Sequence, residues 1–123
     1  MVFTLALVSA VPTQAACLFC DDVVEVNDVR AKCYLSIHEE ALSELASGTR
    51  NYVKVNIGSC EGLTPEDERG TIRDFPLGPT KFVYSLDEAR IVCLRQWLEQ
   101  REAATASLSP LTRVDLNAEC PQQ

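Results

Sequence analysis

The sequence almost lacks histidine, the side chain that serves most often in proton transfer and as a metal ligand. Its single histidine, His38, is followed by two glutamates, so the second histidine of the His-Glu-x-x-His zinc-protease signature is missing. No serine occupies a Gly-x-Ser-x-Gly nucleophile elbow, and the acidic run at residues 66–68 lacks the ligand spacing of an EF-hand loop. We therefore expect no catalytic residues, no cofactor and no metal, and we expect His38 at the surface or boundary of a helix.

Positive charge is scarce as well. The chain has 11 Lys and Arg residues against 18 Asp and Glu residues, which gives a formal net charge of −7 at pH 7. Nucleic acids and anionic membranes attract basic patches, so this acidic balance argues against both as partners. Arg69, Arg73 and Lys81 are separated by acidic residues and do not indicate an anion site.

Long hydrophobic runs are also absent. The most apolar stretch, residues 2–11, is interrupted only by Thr4 and Ser9, and it falls short of the roughly 20 residues that span a bilayer. Ala15 and Ala16 follow, small residues of the kind that a signal peptidase accepts, although no Lys or Arg precedes the run. We predict a signal peptide at residues 1–16, no transmembrane segment, and a single secreted or periplasmic domain at residues 17–123. A buried N-terminal strand is the alternative interpretation.

The first residue of the predicted mature domain, Cys17, allows a further alternative. Small residues before a cysteine resemble a bacterial lipoprotein signal, although Gln14 stands where that signal usually has leucine. A lipid anchor at Cys17 would attach the protein to a membrane surface.

Cysteine is the reactive residue type that the chain does contain in quantity. Six cysteines are present, at positions 17, 20, 33, 60, 93 and 120. An even number in a small exported chain indicates structural disulfides, because a domain of about 100 residues buries only a modest core.

The cysteine spacing indicates an internal duplication. Cys33 and Cys93 are each followed 27 positions later by another cysteine, Cys60 or Cys120. Each first cysteine lies early in a helix-like stretch, and each unit has strand-like stretches on both sides of that helix. These stretches are Val23-Val24-Glu25-Val26, Val53-Lys54-Val55-Asn56, Phe82-Val83-Tyr84 and Val114-Asp115-Leu116-Asn117. The sequence thus predicts two strand–helix–strand units, residues 21–60 and 81–120, joined by a long loop at residues 61–80.

Two such units with antiparallel middle strands form a four-stranded antiparallel sheet with two helices on one face, the ferredoxin-like layout. We therefore expect a disulfide-stabilised α+β fold. Asn27 and Ser85 are the predicted helix caps, and Gly48 the predicted end of the first helix. The acidic run at residues 66–68 fits the first turn of a short helix that is capped by Thr64 and ends before Gly70.

Helical spacing also predicts which faces of the two long helices are buried. In the second helix, Trp97 shares a face with Cys93 and is expected in the core. In the first helix, the predicted apolar face comprises Val29, Cys33, Ile37, Ala41 and Leu45.

Topology favours the pairs Cys33–Cys60 and Cys93–Cys120, because the start of each helix and the end of the following strand lie at the same end of the sheet. Cys17 and Cys20 then remain to pair with each other. In the same layout the first strand begins near the end of the fourth, so a bond from Cys17 or Cys20 to Cys120 is an alternative. A second alternative is a zinc site formed by four thiolates, those of Cys17, Cys20, Cys93 and Cys120. An oxidising compartment opposes it, because the thiols would form disulfides there.

Cys17-Leu18-Phe19-Cys20 is the only spacing with a known chemical use, since two thiols three positions apart can exchange with a substrate disulfide. Redox proteins of the thioredoxin type place the pair at the start of a helix, whereas a strand-like stretch follows here. Asp21 and Asp22 come directly after it, and their negative charge should make the thiols harder to ionise.

Two functional hypotheses follow. The first is a non-catalytic exported module that binds or modulates another exported protein, with the long loop at residues 61–80 as its expected surface. The alternative is a thiol–disulfide redox protein that uses Cys17 and Cys20.

Overall fold

The computed structural model describes residues 17–70 and 81–120, and the predicted signal peptide lies outside them. The fold is α+β. Its strands are β1 (Val23–Val26), β2 (Val53–Asn56), β3 (Val83–Leu86) and β4 (Thr112–Asp115). Its helices are α1 (Asp28–Ser47), α2 (Pro65–Gly70), α3 (Glu88–Ala103) and α4 (Leu116–Glu119), with a 3₁₀ turn at Ser59–Glu61.

The two ends of α1 and the buried side of β2 follow the sequence prediction. The Asn27 side chain caps α1 by accepting a hydrogen bond from the Arg30 N–H at 2.9 Å. The helix ends at Ser47 and is capped by Gly48, whose N–H donates to the Leu45 carbonyl. In β2, Val53 and Val55 face the core, as their alternation predicts.

The second unit departs from the prediction at the start of its helix and in its final strand. Asp87, not Ser85, caps α3 by accepting from the Arg90 N–H at 2.9 Å, because β3 continues through the buried Leu86. The predicted final strand is also displaced. Asp115 ends β4 and accepts from the Asn117 and Ala118 N–H groups, so the residues before Cys120 form the single turn α4.

The predicted four-stranded sheet is wrong in detail, because the strands form two separate antiparallel pairs, β1 with β4 and β2 with β3. Side-chain carboxylates accept hydrogen bonds from N–H groups of β3 that would otherwise donate to β1 in a ladder between the two strands. The Ser85 N–H donates to the Asp21 carboxylate at 2.8 Å, and the Val83 N–H donates to the Glu68 carboxylate at 2.8 Å. A charged carboxylate is a stronger acceptor than a peptide carbonyl, which favours this arrangement over a continuous sheet.

Helices α1 and α3 pack against each other and against the strands. The buried face of α1 is rotated from the prediction: Val29 is 58% exposed, whereas Tyr34 and His38 are buried with Cys33 and Ala41. Trp97 is half-buried, with the Arg101 guanidinium 4.7 Å from its ring centroid. No helix among the described residues is both long and apolar enough to cross a membrane.

Disulfides link elements within each unit. Cys33 on α1 is bonded to Cys60 in the 3₁₀ turn, with 5.8 Å between their Cα atoms. Cys93 on α3 is bonded to Cys120 after α4, with 6.2 Å between their Cα atoms. These are the pairs that topology favours, and they fit an extracellular location.

Candidate functional site

The candidate site is built around the Cys17–Cys20 turn, which lies directly ahead of β1. The two cysteines are bonded to each other with a Cα–Cα distance of 5.3 Å, and the Cys20 N–H donates to the Cys17 carbonyl at 3.4 Å. The disulfide closes a four-residue turn whose two middle side chains point away from the core: Leu18 is 87% exposed and Phe19 is 71% exposed. Exposed large apolar side chains next to each other are a feature of binding surfaces.

Phe19 is held against a neighbouring loop. Its ring centroid lies 5.8 Å from that of Tyr52, which precedes β2, and the two planes are tilted by 38°. The Arg50 guanidinium lies 6.0 Å from the Tyr52 centroid. Such pairs are weak individually, but the contact with Tyr52 orients Phe19 toward the loop between α1 and β2.

Two open depressions adjoin this loop and share Leu45 and Arg50. The larger, of about 650 Å³, lies between the end of α1 and the start of α3, and the smaller, of about 390 Å³, runs along the start of β2. The larger is lined by Leu45, Arg50, Asn51, Asp87, Glu88, Ala89 and Val92. Its mixture of apolar and charged groups suits a polypeptide surface better than a small apolar ligand.

The Asp87 carboxylate lies close to the disulfide. Within the described residues, an Asp87 oxygen and the two sulfurs of Cys17 and Cys20 lie within 4.8 Å of one another, and all three residues are partly buried. The Asp87 carboxylate is fixed by the Arg90 N–H at 2.9 Å and the Arg90 guanidinium at 2.8 Å. The sequence did not single out Asp87 for this place. The signal was available, since the antiparallel layout brings the end of the third strand to the start of the first.

Asp21 and Asp22, which the sequence predicted to act on the thiols, bind elsewhere. The Asp21 carboxylate accepts from the Ser85 N–H and lies 3.6 Å from the Lys81 ammonium. The Asp22 carboxylate forms a 2.9 Å ion pair with Arg90. Within the described residues, the carboxylate that groups with both sulfurs is that of Asp87.

The remaining candidates do not join this site. His38 is buried, contrary to the predicted surface or boundary position, because its ring lies against Tyr34 and its Nδ1 lies 2.8 Å from the Leu35 carbonyl. The acidic run at residues 66–68 lies in α2, where the Thr64 N–H donates to the Asp67 carboxylate. Residues 71–80, which include Arg73 and half of the predicted binding loop, lie outside the described residues.

The other predicted cysteine arrangements are not those of this structure. Cys93 and Cys120 are bonded to each other, so neither a cross-link from the Cys17–Cys20 turn nor a four-thiolate zinc site is present. No protein-family model, curated protein or solved structure matches the chain.

Proposed function

We propose that the protein is an exported, non-catalytic binding module whose Cys17–Cys20 turn inserts Leu18 and Phe19 into an apolar pocket on a partner protein. The observation that carries this proposal is the exposure of two adjacent large apolar side chains on a turn closed by a disulfide. A covalently closed turn loses little conformational entropy on binding, so more of the contact energy contributes to affinity.

The expected strength follows from the side chains involved. Fully burying a Leu or Phe side chain contributes about 1.5–3 kcal/mol, so the turn alone does not provide a stable complex. The depression beside Arg50 and Glu88 supplies the remaining contact area and a polar rim. A chain with a net charge of −7 associates fastest with a basic surface, so we expect a basic rim around the partner's pocket.

A site-specific crosslink tests this function. A photoreactive amino acid replaces Leu18 in the full chain, produced in cells that export it, and the same amino acid at Val29 serves as the control, because Val29 is also an exposed apolar residue. We expect position 18 to crosslink to a defined exported protein and position 29 not to do so.

Affinity for that protein then decides between specific insertion and non-specific contact. Phe19→Ala should weaken binding by about 30-fold, as expected for a central apolar anchor worth about 2 kcal/mol. Val29→Ala should leave affinity unchanged. Equal crosslinking from both positions, no crosslink from position 18, or unaltered affinity of Phe19→Ala would each contradict the proposal.

A second candidate function is thiol–disulfide exchange by Cys17 and Cys20. It is supported by the partial exposure of the bonded cysteines and by their position beside the start of α3. The adjacent Asp87 carboxylate opposes it, because negative charge disfavours the attacking thiolate.

A further inference from the structure

The geometry assigns a second state to the Cys17–Cys20 turn: once reduced, the two thiolates and the Asp87 carboxylate bind one zinc ion. This inference is independent of the proposed partner protein. It rests on the ligand atoms of Cys17, Cys20 and Asp87, which lie within 4.8 Å of one another.

A group of this size can close around one zinc ion after small movements. With Zn–S bonds of about 2.3 Å and Zn–O bonds of about 2.0–2.2 Å in a tetrahedron, sulfurs stand about 3.8 Å apart and a sulfur and an oxygen about 3.5 Å apart. The two sulfurs must move apart after their bond is broken, and the Asp87 oxygen must approach them by about 1.3 Å at most. Side-chain rotations in a surface turn provide movements of this size.

The protein also holds the third ligand in place. The Asp87 carboxylate accepts hydrogen bonds from the Arg90 N–H and guanidinium, and it retains further lone pairs for a metal. Two thiolates and a carboxylate around Zn²⁺ carry a net negative charge, which the Arg90 guanidinium offsets. Three protein ligands leave the fourth position to water.

Reduction must precede binding, because bonded sulfurs are not thiolate ligands. A dithiol reductant supplies two electrons and two protons: its sulfurs form a cyclic disulfide while the Cys17–Cys20 bond breaks and each cysteine becomes a thiol. Zn²⁺ then displaces one proton from each thiol. In the reduced state, bonds from the two sulfurs to zinc thus replace the disulfide that closes the turn.

Zinc titration of the full chain tests the inference. The oxidised protein and a protein treated with a limiting dithiol reductant are titrated with Zn²⁺ against a chromophoric chelator, and alkylation with mass spectrometry counts the free thiols. We expect one zinc per reduced chain and none per oxidised chain. Co²⁺ in place of Zn²⁺ should give the visible absorption of a tetrahedral, thiolate-bound ion.

Matched variants identify the ligands. Asp87→Asn keeps a good helix cap but loses the carboxylate charge, and it should weaken zinc binding by at least about tenfold, since even the loss of a second-shell partner costs that much. Asp115→Asn changes another helix cap, outside the Cys17–Cys20–Asp87 group, and should bind zinc like the original protein.

A Cys17→Ser, Cys20→Ser variant, treated with the same reductant, controls for zinc held by the other cysteines and should bind none. Absence of zinc binding by the reduced chain would overturn the inference. So would equal affinity in the Asp87→Asn variant or equal binding by the double serine variant.

Discussion

At the scale of single residues, two tyrosine hydroxyls form hydrogen bonds inside the fold. The Tyr34 hydroxyl donates to the Ile91 carbonyl at 2.6 Å, which ties α1 to α3. The Tyr84 hydroxyl accepts from the Glu25 N–H at 3.2 Å and donates to the Lys81 carbonyl at 3.2 Å, which ties β3 to β1. Burial raises the pKa of both groups, and it raises that of Tyr84 to about 12.

These raised pKa values predict alkaline destabilisation. A tyrosine whose pKa is higher in the folded than in the unfolded state contributes stability that is complete below pH 10, the unfolded value, and is lost as pH rises through about 12. Denaturant unfolding at increasing pH should show this fall. A Tyr34→Phe, Tyr84→Phe variant should lose about 1 kcal/mol per hydrogen bond at neutral pH and show a flatter alkaline profile. Tyr52→Phe is the control, and an equally flat profile from it would refute the assignment.

Asp28 provides the corresponding acid-side prediction. The Ser109 hydroxyl and the Leu108 N–H, at 2.6 and 2.9 Å, stabilise its carboxylate and hold its pKa below the ordinary 3.8. Its contribution to stability is therefore present above pH 3.8 and is lost as pH falls through the lower folded value. Asp28→Asn should be less stable at pH 7 and should show a shallower loss below pH 4, measured by denaturant unfolding. Glu39→Gln, at an exposed position, is the control. If this variant changed the loss of stability below pH 4 as much as Asp28→Asn does, Asp28 would not be the cause of that loss.

Gly58 is required for space and not for backbone conformation. Its φ of −90° is open to any residue, but an added Cβ would lie 2.9 Å from the buried Phe82 ring and 3.0 Å from Leu63. Gly58→Ala should therefore cost about 1–3 kcal/mol of unfolding free energy through overpacking. Gly62 has a φ of 78° and nothing within 4 Å of an added Cβ, so Gly62→Asn, which tolerates that φ, should cost far less. Similar losses from both variants would contradict the steric explanation.

In α1, residue patterns predicted the two ends of the helix better than its buried face. Asn27 and Gly48 act locally, so their roles follow from a few neighbouring residues. The buried face of α1 depends on contacts from distant elements: Arg30 is buried because Glu61 pairs with it at 3.1 Å and Phe82 lies beneath its guanidinium. Periodicity alone does not reveal such partners, so it predicts Val29 on the buried face and His38 at the surface or boundary.

At the scale of elements, the disulfides differ in what their loss should cost. Cys33–Cys60 closes a separation of 27 residues, and replacing both cysteines by Ala should cost about 2–5 kcal/mol. Cys17–Cys20 closes a separation of only 3 residues, so Cys17→Ser, Cys20→Ser should cost about 2 kcal/mol at most and leave cooperative unfolding intact. Calorimetry or denaturant unfolding of the two variants compares these losses. Failure of the Cys17→Ser, Cys20→Ser variant to fold would show that this disulfide is required for the fold.

The element order followed from the sequence, whereas the joining of the strands did not. Alternating apolar residues and repeated cysteine spacing indicate two strand–helix–strand units. The break between β1 and β3 depends on Asp21 and Glu68, two carboxylates that accept N–H groups of β3. Nothing in the local pattern of either residue indicates that its side chain replaces a backbone partner.

At the scale of the whole molecule, the two outer strand pairs of the predicted layout are present and the central ladder is missing. The start of β1 and the end of β3 still adjoin, since the Asp21 N–H donates to the Ser85 carbonyl at 2.8 Å. This contact brings the Cys17–Cys20 turn to the start of α3. The proposed binding surface and the Cys17–Cys20–Asp87 group therefore arise from segments that are distant in sequence. These segments are the Cys17–Cys20 turn, the loop between α1 and β2, and the start of α3.

That placement predicts little disulfide-exchange activity. Attack on a substrate disulfide needs a thiolate, which nearby positive charge or a helix N-terminus favours. The cap of α3 is Asp87, whose carboxylate neighbours both sulfurs, while the Arg90 guanidinium is shared between Asp87 and Asp22. Ionisation of either thiol in the reduced turn is therefore disfavoured at neutral pH. We expect negligible reduction of insulin by the reduced protein, and alkylation of its thiols that accelerates only above about pH 8.

Asp87→Asn isolates the electrostatic cause of the expected inactivity. It keeps the helix cap, removes the adjacent negative charge and leaves Arg90 with one carboxylate fewer, so alkylation at neutral pH should become faster than in the original protein. Asp115→Asn, which changes the cap of α4, should leave the rate unaltered. Fast alkylation and insulin reduction by the unmodified protein would instead favour thiol–disulfide exchange over partner binding as the function of the Cys17–Cys20 turn. Its two exposed apolar side chains would then contact the substrate polypeptide, and Phe19→Ala would slow turnover.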